Sequence, residues 1–110
     1  MEFEVRGRNL TLSDPLEELV ERRFDFALGR FAGEIRRVDV KLNDLQGPRR
    51  GAEKQCRVEV TLRHGGSVRA EGSEEQLRDA IDMAAHRVRR QLGRRLDRDA
   101  RPRRGLPLTG

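Results

Sequence analysis

From His86 to Arg95 the chain carries five arginines, Arg87, Arg89, Arg90, Arg94 and Arg95, and no acid. A guanidinium offers a planar fork of donors that matches phosphate oxygens in pairs, so arginines crowded without acids are suited to a polyanion. On a helix at about 100° per residue, Arg87, Arg90 and Arg94 fall within an arc of about 60°. Leu77, Ala80, Ile81, Ala84, Val88 and Leu92 form an apolar stripe beside them. Such a helix anchors in a core and holds a cationic ridge next to it. A charge run is more often a plain solvated face, but acids normally intersperse such a face and here they are missing.

No other constellation offers chemistry. His64 adjoins the Gly65-Gly66 pair, as expected of an exposed turn, and His86 lies on the polar side of its helix. Neither has a histidine or cysteine at metal-ligand spacing, and there is no phosphate-cradling glycine loop. The carboxylates are scattered among arginines, the pattern of surface ion pairs. An enzyme is not expected, nor a metal, a cofactor or a small-molecule substrate. Cys56, the only cysteine, permits no internal disulfide and reads as a small core residue, which suits a reducing cytoplasm. No apolar run reaches membrane-spanning or signal-peptide length. The Leu-Pro-Leu-Thr-Gly ending matches a surface-sorting signature, read here as coincidence because neither a secretion signal nor a hydrophobic tail accompanies it.

The 110 residues suit one domain, with 39% charged residues and a net charge of +5. Lys41 and Lys54 are the only lysines, so arginine carries nearly all the positive charge. A GC-rich genome would produce the same bias. Trp and Tyr are absent, and of the four Phe, Phe3, Phe24 and Phe31 occupy periodic apolar positions expected in the core. Without exposed rings for bases to stack on, nucleic-acid contact is expected to run through phosphates and shape.

The elements that must position the ridge follow from periodicity. Glu2 to Arg6 alternates as a strand that Leu10 and Leu12 could extend. Asp14-Pro15-Leu16-Glu17 signals a helix start, with Asp14 as cap and Glu17 closing a capping box. Leu16, Leu19, Val20, Phe24, Ala27, Leu28 and Phe31 then recur at helical spacing until Gly33. Alternation predicts strands around Val38–Leu42, Val58–Leu62 and Val68–Ala70, each with one apolar and one mixed-charge face, the latter read as structural. Ser73 and Gln76 form a second capping box before the arginine helix. The expected fold is α+β, a two-layer sandwich of order β-α-β-β-β-α. A four-stranded mixed sheet has its first two strands parallel through a right-handed crossover and both helices on one face. The domain is expected over residues 1–96, followed by a disordered basic tail over 97–110. Asn43 to Lys54 reads as a long basic loop, equally a flexible arm or a plain hairpin loop.

With these elements in order, the chain resembles the ribosome hibernation promoting factor and ribosome-associated inhibitor family, also called sigma-54 modulation proteins. The residues that carry the resemblance are the opening EFEVRGRNLTLSDPLEELVERR, the strands VDVKL and CRVEVTL, and above all AID followed by RVRRQL. The resemblance implies a factor that binds the small ribosomal subunit and whole ribosome in the mRNA and tRNA channel through rRNA, blocking translation. It also implies a short form without the further C-terminal domain by which long members pair ribosomes. Arg87, Arg90 and Arg94 match basic positions of the family's last helix and Arg23 one of its first; Arg22, Arg30 and Arg95 are further rRNA candidates. Arg23 projects near the middle of its helix's apolar stripe, which leaves a snorkelled position between the helices open. The chain departs from the family pattern at Leu77-Arg78-Asp79, where many relatives have an aromatic residue, at Phe26, where a basic residue is common, and in its longer GPRRG loop. A monomer is expected. Two other readings stay open: a regulatory module meeting an acidic protein partner, and a general binder of double-stranded RNA.

Overall fold

The computed structural model describes residues 1–45 and 54–100. The element order is β1 (Glu2–Arg8), α1 (Asp14–Leu28), a 3-10 turn (Gly29–Glu34), β2 (Ile35–Asp44), β3 (Lys54–Leu62), β4 (Ser67–Glu74) and α2 (Leu77–Ala100). The strands lie side by side in chain order. β1 is parallel to β2, and the other neighbours are antiparallel. This is the α+β sandwich expected, a four-stranded mixed sheet with two helices on one face.

The two-residue period of the strands sends one side of each toward the helices. Val38, Val40 and Leu42 of β2, Cys56, Val58, Val60 and Leu62 of β3, and Val68 of β4 are all buried there. α1 adds Val20, Phe24, Ala27 and Leu28; α2 adds Ala80, Ile81, Ala84, Ala85, Val88 and Leu92. Among the described residues no polar or charged side chain is buried. Each large apolar side chain removed from water contributes about 1.5–3 kcal/mol, so this layer holds the fold together.

The sheet's open face is polar, and its charges run in rows across the strands. Arg6, Lys41 and Arg57 lie directly opposite one another in register, as do Glu4, Asp39 and Glu59. Like charges in cross-strand positions repel, and pairing between rows offsets this. Arg37 gathers Glu2, Glu4 and Asp39 around its guanidinium, while Arg6 meets Glu4, Arg69 meets Glu59 and Arg57 meets Glu71. Carboxylates thus accompany most cations of this face.

Several boundaries differ from the periodicity reading. Ser13, not Asp14, caps α1: its hydroxyl accepts from the Leu16 amide at 3.3 Å. Asp14 falls in the first turn, where its charge favours the helix dipole, and Leu16 stands where a capping box would need Glu17. α1 stops at Leu28, and Phe31 rides on the 3-10 turn. Ser73 caps nothing, because β4 continues to Glu74 with Ser73 opposite Gln55. α2 begins after Gln76, whose carbonyl accepts from Ala80 at 3.1 Å. β1 ends at Arg8, since Asn9 turns left-handed at φ 61° and takes Leu10 and Leu12 out of the strand.

The region read as a loop begins and ends inside the β2–β3 ladder, where Asn43 faces Gln55 and Asp44 faces Lys54. The GPRRG segment lies outside the described residues. Asp97–Ala100 continue α2, and the remainder of the expected tail also lies outside them.

Candidate nucleic-acid interface

α2 owes its position to its apolar stripe and to one glycine beneath it. Ala80 and Ala84 are small enough to bring the helix against β4, and Gly72 receives it without a side chain in the way. The stripe seats α2 over β3 and β4, while α1 packs beside it. Fixing one side of α2 in this way fixes where its arginines point.

From Met83 to Leu96 α2 contains no acid, and Arg87, Arg89, Arg90 and Arg94 are all exposed. They divide into two flanks. Arg87 leans over the outer strand and donates to the Glu71 carbonyl at 2.9 Å. Arg89, Arg90 and Arg94 border an open groove whose other wall is Arg30 and Phe31 of the 3-10 turn, with Leu96 and Asp97 also lining it. Gly93 forms part of its floor: a Cβ added there would lie 3.7 Å from Phe31 Cζ, so the two walls come within one methyl group of each other at its base. Arg94 stands on the crest, since it also lines a second hollow with Arg69, Arg95 and Arg98. Arg22, Arg89, Arg90 and Arg94 form no ion pair among the described residues.

The other candidates are placed differently. Arg23 crosses to α2 and pairs with Asp82, the snorkelled position between the helices. Arg30 lies over the Phe31 ring, 5.1 Å from its centroid, with its exposed side toward the groove. Arg95 is half-buried against the β3–β4 turn, where Gly66 (φ +84°) leaves room for its guanidinium, and it pairs with Asp99 at 3.3 Å. Arg95 points there because it shares the helix side of Val88 and Leu92. Arg89, absent from the arc that helical spacing gathers, lies on the flank of α2 that α1 adjoins, and spacing alone does not say which flank that is. Phe26 of α1, an apolar residue, is 90% exposed, which nothing in its type announces.

The arrangement can hold phosphates by multivalent charge and paired hydrogen bonds; it holds no reacting group. His64 and His86 are exposed, and among the described residues no cluster of histidines, cysteines and acids could bind a metal. Burial pushes the Cys56 thiol up to about 12, which leaves it inert. No helix among the described residues is long and apolar enough to cross a membrane.

The fold and this face define a small α+β domain with a cationic helical surface. Residues 3–100 match the family described as Sigma 54 modulation protein / S30EA ribosomal protein, and the chain belongs to that family. It is 35% identical over 91 residues to the chloroplast ribosome-binding factor PSRP1 of Spinacia oleracea, a match covering 80% of this chain and 30% of that protein. It is 34% identical over 93 residues to the ribosome hibernation promotion factor of Deinococcus radiodurans, covering 82% and 46%. The chain therefore spans less than half the length of these relatives. Among solved structures, the N-terminal domain of Thermus thermophilus Protein Y superposes with a TM-score of 0.71 at 29% identity, over 86% of this chain and 98% of that one. A ribosomal subunit interface protein of Coxiella burnetii shares the fold, with a TM-score of 0.71 at 20% identity, over 88% and 99%.

Proposed function

We propose that this domain is a ribosome-associated hibernation factor that occupies the mRNA and tRNA channel of the small subunit and stops translation there. It grips rRNA phosphates with the arginines of α2 and of the α1 end. One observation carries the reading: an exposed, acid-free run on α2 whose Arg89, Arg90 and Arg94 face Arg30 across a groove. Membership of the family and the ribosome-linked names of its relatives support it. In this role the protein is a monomeric, cytoplasmic, non-enzymatic blocker. Its affinity comes from counterion release, so it falls steeply with salt. Arg90 and Arg94 are the central contacts, with Arg22, Arg30 and Arg89 beside them and Arg87 at the margin.

The test is sedimentation of the purified protein with small subunits and with whole ribosomes through sucrose gradients at moderate and high salt. Co-migration at moderate salt, lost at high salt, is expected. Replacing Arg87, Arg90 and Arg94 together by Glu abolishes it while thermal unfolding stays close to that of the parent. Binding that survives the triple change places the interface elsewhere. Protein that never co-migrates, but captures a partner from nuclease-treated lysate, points instead to an acidic protein surface.

A further inference from the structure

Phe26 is the fourth phenylalanine and the one that packs on nothing. Phe24 is fully buried with Phe3 beside it, their ring centroids 6.4 Å apart, and Phe31 lies under Arg30, whereas Phe26 is 90% exposed. Among the described residues the other exposed large hydrophobics are Met1, just ahead of β1, and Leu45, just after β2. A lone surface hydrophobe is ordinary, so the neighbours decide.

At about 100° per residue, Phe26 falls between Arg22 and Arg23, some 40° from the first and 60° from the second. The five acids of α1 (Asp14, Glu17, Glu18, Glu21 and Asp25) lie about 80° to 180° from Phe26, all beyond Arg22, with Glu18 the nearest. Arg23 reaches Asp82 of α2, so the side that carries Phe26 adjoins the arginine helix. An exposed flat ring is thus set between Arg22, which forms no ion pair among the described residues, and Arg23, which is paired with Asp82, on the surface that would meet a polyanion. A protein pocket for Phe26 would have to be apolar within an acidic rim. A nucleic acid supplies both parts at once, a phosphate for Arg22 and a base face for the ring.

We propose that Phe26 is a base-stacking residue, on which an unpaired nucleobase of the bound RNA lies while Arg22 and its neighbours hold the flanking phosphates. The inference rests on the ribosome-binding reading above and adds to it a contact of a different kind, one that recognises a splayed base instead of backbone charge.

The experiment measures the affinity of the full chain for purified small subunits across a salt series, using Phe26→Leu, Phe26→Tyr and the parent. Stacking on an aromatic ring is sequence-tolerant but needs the ring, so Phe26→Leu is expected to lose roughly ten-fold or more and Phe26→Tyr to stay near the parent. The salt slope of Phe26→Leu stays unchanged because no phosphate contact is lost, whereas Arg90→Ala lowers it by about one unit. Thermal unfolding stays unchanged too, as an exposed side chain supports no packing. A photoreactive phenylalanine analogue at position 26 is expected to cross-link to rRNA. Parent-like affinity of Phe26→Leu, or cross-links to protein alone, overturns the stacking role and leaves the arginine interface standing. A parent that binds no subunit at all overturns both.

Discussion

The backbone of Gly72 in β4 runs directly beneath Ala84 of α2, close enough that a Cβ on Gly72 would lie 2.8 Å from the Ala84 amide nitrogen. It would also lie 2.9 Å from Met83 Cβ and collide with the Ala80 carbonyl oxygen. None of these atoms is the free end of a flexible side chain, so β4 and α2 would have to part. The height of the arginine helix above the sheet is therefore set by this glycine.

Gly72→Ala is expected to destabilise the domain by about 1–3 kcal/mol through overpacking. Thermal unfolding monitored by circular dichroism would shift down by roughly 4–8 °C per kcal/mol. Gly93 on α2 provides the contrast. Its added Cβ would meet only Phe31 Cζ, at 3.7 Å, an ordinary contact. Alanine is the better helix former by about 0.5–1 kcal/mol, so Gly93→Ala should raise the melting temperature. Equal melting temperatures for the parent and Gly72→Ala would show that the close approach has no energetic weight.

Arg23 and Arg90 separate a structural cation from a binding one. Arg23 is committed to Asp82 in a half-exposed pair linking the helices, a contact worth at most about 1 kcal/mol. Arg90 borders the groove. Arg90→Ala is expected to lower the salt slope of subunit binding by about one unit, and Arg23→Ala by clearly less. Asp82→Ala, by releasing the Arg23 guanidinium, is expected to steepen that slope. Indistinguishable slopes for the two arginine variants would mean that the ion pair gives way on binding and Arg23 reaches phosphate after all.

The fold was legible because period is a physical consequence of backbone geometry. Val38, Val40 and Leu42 must share one side of a strand whatever lies above them, and Ile81, Val88 and Leu92 must share one side of a helix. Boundaries were less legible, because they depend on partners. Ser73 looks like a cap until its pairing with Gln55 keeps it in the sheet. Asp14 looks like the cap of α1 until the extended backbone of Ser13 and its hydrogen bond from the Leu16 amide give that role to Ser13. The site was half legible. Spacing gathers Arg87, Arg90 and Arg94, but the packing of α1 beside α2 turns Arg90 and Arg94 toward Arg30 and leaves Arg87 over the sheet edge. Likewise Arg95 looks like another member of the run, yet its direction aims it at the Gly66 turn. Phe26 is apolar by type, and nothing in the type says that its side of α1 stays open.

Cys56 makes the stability of this fold depend on alkaline pH. It is fully buried between strands, and burial alone lifts its thiol from an ordinary 9.0 to about 12. In the folded chain the sulfur therefore stays protonated where the unfolded chain has already released its proton. The unfolded state binds fewer protons in that window, so stability, complete below pH 9, declines as pH rises toward 12. Denaturant unfolding at pH 8, 9 and 10.5 is expected to show this decline in the parent. In Cys56→Ala it should be shallower, although that variant starts lower by the cost of its cavity. Alkylation offers an independent readout: at pH 8 iodoacetamide should label the denatured chain quickly and the folded chain slowly. Rapid labelling of the folded protein would mean that the sheet opens around Cys56 far more often than a core position permits.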